Sequence, residues 1–212
     1  MPEAPDVPEA PDVDAWDAWS PAEVQVRLAG CPVPWFVAAG WAIDLHVGRQ
    51  TREHSDLEVA IPRADFPQFR TYFAEFDLYT AYAGQIAPLA PAEEPKAEMH
   101  QVWVCDRAAA AWRMDTFLEP GDRQTWVSHR DERVRAPFAD VVATTLAGIP
   151  YLRPQFVLLG KAKHTRDKDE ADLAAVLPTL DEAARMWLAD ALALVHPAHP
   201  WIARVGAAPR SG

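Results

Sequence analysis

Apolar residues near the start of the chain predict a strand and a helix in quick succession. The apolar run Val33–Ala38 predicts a short strand, Gly40 interrupts it, and Trp41–Val47 predicts a helix that ends at Gly48. A helix that begins directly after a strand presents its free N–H groups and its positive dipole end to whatever lies beyond that strand. The pattern therefore predicts an anion site at the start of this helix.

Alternation of polar and apolar residues predicts a second strand with an unusual polar face. In DLEVAI, residues 56–61, Asp56 and Glu58 share one face with Ala60, and the other face is apolar. Two carboxylates on one face of a half-buried strand repel each other and lose hydration unless a cation lies between them. Mg²⁺ prefers hard oxygen ligands and is usually held by one or two carboxylates together with substrate phosphates. We therefore predict that Asp56 and Glu58 bind Mg²⁺.

The remaining pattern divides the chain into three regions. HQVWVC (100–105) and WRMDTFL (112–118) predict neighbouring strands, and from about residue 139 onward the apolar spacing is helical. The chain begins with a literal repeat of PEAPDV, whose proline and acid content cannot build a core. We predict an α/β fold, a small mixed sheet with a C-terminal helical lobe, divided into a disordered tail (1–19), a sheet domain (20–138) and a helical domain (139–212).

Composition narrows the class of partner. The net charge is −11, and six acids within residues 1–17, unaccompanied by Lys or Arg, supply more than half of it. An acidic chain argues against binding a nucleic acid backbone, which requires clustered Lys and Arg, and it favours a neutral or cationic partner. No apolar run approaches the ~20 residues of a membrane-spanning helix, and the N-terminus does not resemble a signal peptide. Cys31 and Cys105 both have apolar neighbours, so we expect reduced thiols and a cytoplasmic protein.

The segment AAGWAIDLHVGRQTREHSDLEVAI, residues 38–61, resembles the core of the polymerase-beta-like nucleotidyltransferase superfamily. The likeness is closest to the aminoglycoside and lincosamide nucleotidyltransferases, in which Gly-Gly-Trp opens the helix and an Arg-x-His-x-Asp-hydrophobic-Asp/Glu run closes the motif. The matching residues are Gly40, Trp41, Asp44, Gly48, Thr51, Arg52, His54, Asp56 and Glu58. Ala39 departs from the pattern, because it stands where the family has its first glycine, and its methyl group would restrict the backbone or crowd the triphosphate.

The resemblance implies a sheet of nucleotidyltransferase type, an active site between the sheet and helical lobes, and a set of residue roles. The superfamily uses a third carboxylate on a later antiparallel strand, and Asp115 is the only acid in the strand WRMDTFL. Asp115 would be a third metal ligand or the catalytic base. The residues implied in nucleotide binding are Gly40, Trp41, Arg52, His54 and Lys161, the last on a helix that starts near Pro154.

The implied reaction is transfer of AMP from ATP, or of a nucleotide from another NTP, to a hydroxyl of a small molecule, with two Mg²⁺ ions as cofactors. The closest resemblance suggests an aminoglycoside or lincosamide acceptor, and hence antibiotic resistance. Two other functions stay open: a toxin-like enzyme that adds a nucleotide to a protein or RNA, and a pseudoenzyme that binds nucleotide without transfer. The acidic charge weighs against an RNA substrate, whereas Ala39 keeps the pseudoenzyme open.

Overall fold

The computed structural model describes residues 10–206, which form short strands and helices and confirm the predicted α/β class. The strands are β1 (Phe36–Val37), β2 (Glu58–Pro62), β3 (Asp77–Tyr82), β4 (Gln85–Pro88), β5 (Gln101–Asp106), β6 (Ala111–Glu119), β7 (Thr125–Val127), β8 (Arg135–Pro137), β9 (Val142–Thr144) and β10 (Pro150–Leu152). The helices are α1 (Pro21–Arg27), α2 (Ala39–Val47), α3 (Phe66–Tyr72), α4 (Phe138–Val141), α5 (Pro154–Lys161), α6 (Asp167–Val176), α7 (Glu182–Val195) and α8 (Trp201–Gly206). Within residues 10–206, no helix combines the length and the apolar character that crossing a bilayer would require.

Contacts within the chain define two compact units. The first unit is Met1–Trp35 with Ser55–Glu119, and the second is Phe36–His54 with Pro120–Gly212. The grouping differs from a single boundary at residue 138, because α2 packs against α5 and α6 and β1 pairs with β10. These contacts join residues that are far apart in sequence. The pattern along the chain, from which the boundary was predicted, contains no information about them.

The first unit is built on a mixed sheet with the strand order β4-β3-β5-β6-β2. β6 pairs in parallel with β2 and antiparallel with β5, as predicted for the two neighbouring strands. The register shifts between Val104 and Cys105: Met114 lies opposite the former and Trp112 opposite the latter, which leaves Arg113 as an extra residue in β6. Such a bulge bends the strand at its start and re-aims the side chain that it carries.

Residues 10–19 belong to the predicted disordered tail, but residues 12–19 hydrogen-bond along the start of β6 instead. The N–H of Trp112 donates to the Ala15 carbonyl, and the N–H of Asp17 donates back to the Trp112 carbonyl. Trp16 packs edge-on against Trp103 with the ring centroids 4.9 Å apart, and Trp19 is buried against phenylalanines. The two tryptophans therefore attach this segment to the sheet, which the acidic composition alone did not indicate. The predicted tail over residues 1–9 lies outside the described residues.

The second unit combines a small sheet with the C-terminal helices. β1 pairs in parallel with β10, and β10 pairs antiparallel with β9, while β7 and β8 form a separate pair. The core of the helices is apolar, and Leu158, Leu188, Leu192 and Trp201 are fully buried. The region predicted as wholly helical thus contains two strands, because Val142–Thr144 and Pro150–Leu152 flank a turn with Gly148 in the left-handed conformation.

Candidate functional site

Two predicted metal ligands and two aromatic residues lie side by side in one row across the sheet of the first unit. Glu58 of β2 lies opposite Asp115 of β6, Asp115 lies opposite Trp103 of β5, and Trp103 lies opposite Tyr79 of β3. Residues directly opposite each other on paired strands point to the same face. The predicted carboxylates Glu58 and Asp115 are therefore side-by-side neighbours. Asp56 precedes Glu58 by two residues, just before the strand begins.

Asp115 is the most buried member of this carboxylate group, with 4% of its surface exposed. The side-chain amide of Gln101 donates a 2.6 Å hydrogen bond to Oδ2, and Oδ1 has no hydrogen-bond partner among the described residues. Burial raises the pKa of Asp115 well above its ordinary range, and the charges of Glu58 and Asp56 raise it further, while the side chains of Gln101 and Trp103 act in the opposite direction. Asp115 is thus a carboxylate whose ionised form requires a positive charge nearby.

The donor chemistry of this group fits a hard divalent cation. Asp56, Glu58 and Asp115 offer only carboxylate oxygens, and Asp115 keeps one buried oxygen available. Within residues 10–206, no three His, Cys, Asp or Glu side chains converge tightly enough to form a ready-made metal cage. Like charges repel, so three carboxylates approach one point only when a cation joins them. The sheet therefore holds Glu58 and Asp115 side by side, with Asp56 just before it, but it does not close the three carboxylates around one point.

The second unit places the other motif residues around Asp44, a buried residue of α2. Its carboxylate accepts a 3.0 Å hydrogen bond from the backbone N–H of Thr51 and a second hydrogen bond from the Thr51 hydroxyl. His54 Nε2 lies 2.6 Å from Asp44 Oδ2, and the His54 ring stacks on Trp41 with centroids 4.4 Å apart. Burial lowers the pKa of His54, although the hydrogen bond to Asp44 opposes the shift. Asp44 therefore fixes the loop that follows α2.

Gly40 occupies a position where only glycine fits. A Cβ atom at this residue would lie 2.8 Å from the His54 ring and closer still to the Arg52 guanidinium. Both side chains thus pack directly on the backbone at the start of α2. At this start Ala38 forms no side-chain cap, and the first turn contains no acidic residue, so no carboxylate of the helix opposes an anion there. The motif glycine is explained by this packing.

Arg52 and Lys161 share the buried carboxylate of Asp172 on α6, and Lys161 also contacts the buried Asp169. Lys161 Nζ lies 2.8 Å from Asp169 and 2.9 Å from Asp172, and Arg52 Nε lies 3.1 Å from Asp172. Burial alone would raise the pKa of Asp169, but hydrogen bonds from Arg166 and Lys161 hold that pKa at about 2. Two cations that were predicted to bind nucleotide are therefore joined to each other through acids.

Sequence reasoning missed Asp169, Asp172 and Gln101. The two aspartates stand three residues apart on one helix, a spacing that puts both on the same face, and this was the available signal. No local pattern distinguishes Gln101, because its contact with Asp115 depends on strand pairing. The structure thus groups Asp56, Glu58 and Asp115 in the first unit and Gly40, Trp41, Arg52, His54 and Lys161 in the second.

Residues 22–85 match the sequence model of the aminoglycoside-2''-adenylyltransferase family. This match covers the motif from Gly40 to Glu58 but not Asp115 or Lys161. The predicted resemblance to the nucleotidyltransferases is confirmed. With it, the chain has the sequence signature of the predicted enzyme class, nucleotidyltransferase. No curated protein sequence gives a significant match to the chain.

Solved structures show that the nucleotidyltransferase fold extends beyond the matched segment. The crystal structure of ANT(2'')-Ia in complex with adenylyl-2''-tobramycin aligns with a TM-score of 0.52 at 13% identity, over 82% of this chain and 95% of that chain. The crystal structure of the lincosamide antibiotic adenylyltransferase LnuA, bound to lincomycin, aligns with a TM-score of 0.50 at 12% identity, over 73% of this chain and 92% of that chain. At such low identity these likenesses establish the shared fold alone.

Proposed function

We propose that the protein is a Mg²⁺-dependent nucleotidyltransferase that moves AMP from ATP to a hydroxyl of a small molecule, an aminoglycoside or a lincosamide. The observation that carries this proposal is the alignment of Glu58 beside a buried Asp115, with Asp56 two residues earlier, in a chain with the family signature. Acidic carboxylates grouped on a sheet suit a cationic acceptor and a metal-bound triphosphate better than a nucleic acid backbone.

Asp56, Glu58 and Asp115 would hold two Mg²⁺ ions. When bound, the metal neutralises charge on the triphosphate and orients the reacting oxygens. Gly40, Trp41, Arg52, His54 and Lys161 would bind the nucleotide. The first turn of α2 supports this role because it contains no acidic residue that would oppose an anion. Arg52 and His54 pack on the same start of the helix. Nucleotide transfer depends mainly on positioning and charge, which such residues supply.

In the proposed reaction the acceptor hydroxyl oxygen forms a bond to the α-phosphorus of ATP while the bond to pyrophosphate breaks. The hydroxyl proton moves to a carboxylate, for which Asp115 is the proposed base. Asp115 lies directly opposite Glu58 in the sheet, which places it beside the proposed metal ligands and the reacting oxygens that they would orient. The products are the adenylylated acceptor and pyrophosphate.

ATP supply and two free thiols, Cys31 and Cys105, both suit a cytoplasmic protein.

The test is pyrophosphate release from ATP and Mg²⁺ in the presence of a panel of aminoglycosides and lincosamides, with mass spectrometry of the products. We expect one class of antibiotic to gain the mass of one adenylyl group, which is AMP less one water. A reaction without Mg²⁺ is the control for the cofactor. Reactions with each of the other three NTPs in place of ATP are the controls for the donor. ATP binding without product on any acceptor would instead support the pseudoenzyme, and labelling of added protein or RNA would support the macromolecular modifier.

A further inference from the structure

We propose that Gln101 is a positioning residue that orients Asp115 toward the metal side of the site; the inference rests on the proposed metal role of Asp115. Gln101 is the first residue of β5 and lies opposite Phe117, two residues beyond Asp115. Its side chain reaches diagonally across the strand pair and donates to Asp115 Oδ2 at 2.6 Å. This distance is short for an N–H···O bond, as expected when the acceptor is charged.

The chemistry of the two groups fixes the direction of this bond. When a bound cation keeps Asp115 ionised, its carboxylate can only accept hydrogen bonds, so Gln101 must present its amide NH₂ group to it. One carboxylate oxygen is then occupied, and the carboxylate plane cannot rotate freely. The other oxygen, Oδ1, is buried and has no hydrogen-bond partner among residues 10–206. Gln101 therefore leaves a single oxygen of Asp115 available for a cation or a proton.

A neutral donor suits this position better than a charged one. A Lys or Arg beside Asp115 would itself supply positive charge to this carboxylate, and it would compete with a metal ion. The amide of Gln101 stabilises the ionised carboxylate and leaves the negative charge of the group unchanged. Outer hydrogen bonds of this kind fix the orientation of ligating carboxylates in metal sites.

The experiment compares Gln101→Met, which keeps the size of the side chain and removes the donor, with Thr116→Val as a matched control. Thr116 lies next to Asp115 on β6, is fully buried, and its hydroxyl has no hydrogen-bond partner in the described part of the chain. Both substitutions therefore exchange a polar group for an apolar one of similar size on adjacent strands. Gln101→Leu is a second variant without the donor, and thermal unfolding of each variant verifies that it is folded.

The main readout is Mn²⁺ affinity without nucleotide, measured by electron paramagnetic resonance, with Asp115→Asn as the reference. We expect Gln101→Met and Gln101→Leu to weaken Mn²⁺ binding by about 10- to 100-fold, the usual effect of losing an outer partner of a metal ligand. Thr116→Val should bind Mn²⁺ as the wild type does. On any acceptor that reacts, the Gln101 variants should need more metal for half-maximal rate while KM for the acceptor stays constant.

Two contrary results have different meanings. If Asp115→Asn loses Mn²⁺ affinity and both folded Gln101 variants retain it within about twofold, Gln101 does not position Asp115 and the inference is wrong. If Asp115→Asn itself binds Mn²⁺ as the wild type does, the metal role of Asp115 in the proposed function fails, and the inference falls with it. Equal weakening by Thr116→Val and Gln101→Met would assign the effect to packing and would also overturn the inference.

Discussion

At the scale of single residues, Ala39 and Gly40 begin α2 under different constraints. Gly40 has no room for a side chain because Arg52 and His54 pack on its backbone. Ala39 has φ +47°, in the left-handed region that favours glycine, and the family has a glycine at this position. The departure noted in the sequence is therefore a backbone strain at the start of the helix proposed to bind phosphate.

Ala39→Gly should stabilise the protein. Removal of the methyl group relieves the left-handed strain, which outweighs the extra flexibility of glycine in the unfolded chain, and we expect the free energy of unfolding to rise by about 1 kcal/mol. Urea denaturation measures this change. If the methyl group also crowds the triphosphate, ATP binding measured by calorimetry should become tighter.

Ala83 provides the matched control for Ala39. It has φ +51° and lies with Gly84 in the turn between β3 and β4, a hairpin in the first unit. Ala83→Gly should give a similar gain in stability and leave ATP affinity unchanged. A drop in stability for Ala39→Gly would contradict the strain argument, and unchanged ATP affinity would show that the nucleotide accommodates the alanine.

Asp115→Asn tests the proposed base, because it keeps the shape of the side chain and removes its charge. We expect the free energy of unfolding to stay constant or rise, since a buried charge beside Glu58 and Asp56 is lost. Turnover on an identified acceptor should fall by roughly 10²- to 10⁴-fold, the usual effect of losing a general base. Steady-state kinetics give this value, with Asp190→Asn on the exposed face of α7 as a control. Near-normal turnover of Asp115→Asn would remove Asp115 from the reaction.

At the scale of elements, strand register and helix packing decide which side chains meet. β6 brings Asp115 beside Glu58 on one edge and Trp103 on the other, while its first residues hydrogen-bond to the segment that holds Trp16. α6 contributes Asp169 and Asp172, which hold Lys161 from the end of α5 and Arg52 from the loop after α2. These elements fix the candidate site residues from several directions, so few of their side chains can move independently.

Asp172→Asn should destabilise the second unit strongly. Asp172 is almost fully buried and is shared by two cations, Arg52 and Lys161, which would lose this carboxylate. Removing one partner of a buried ion pair leaves charge without compensation, and we expect a loss of about 3 kcal/mol in the free energy of unfolding. Chemical denaturation measures it. Arg133→Gln, which breaks an exposed pair with Asp131, is the control and should have no measurable effect. A similar small effect for Asp172→Asn would mean that the network is not structural.

At the scale of the whole molecule, the acidic charge favours cationic acceptors. The net charge of −11 creates a negative field that raises the local concentration of a polycation and is screened by salt. The acids of residues 1–17 contribute much of this field, and the described part of that segment lies along β6 in the same unit as Asp115. We therefore expect the charge to affect recognition of an acceptor rather than the fold.

Salt should weaken the reaction with a polycationic acceptor. If the acceptor is an aminoglycoside, we expect kcat/KM to fall about 3- to 10-fold between roughly 50 and 500 mM salt, mainly through KM, because screening removes long-range attraction. A lincosamide, with less positive charge, serves as the comparison and should change little. Equal salt sensitivity for both classes would show that the net charge does not select the acceptor.

Local patterns in the sequence determined the parts of the protein that depend on neighbouring residues. The helix that ends at Gly48 and the strand that carries Glu58 follow from spacing and glycine chemistry, and both are present. Local alternation was also enough to predict that Asp56 and Glu58 share one face, because this inference uses neighbouring residues only. The resemblance of the same short segment also predicted the fold, since a long motif restricts the possible families.

Tertiary structure alone decided the partners of these residues. Arg52 and Asp172 are 120 positions apart, and their ion pair exists because α2 packs on α6. Gln101 meets Asp115 only through the register of β5 on β6, and Trp16 meets Trp103 only because the acidic N-terminal segment follows the same strand. Periodicity reports which face of an element is buried, but it contains no information on what covers that face. For this reason the proposed metal ligands could be predicted from the sequence, whereas the residues that contact them could not.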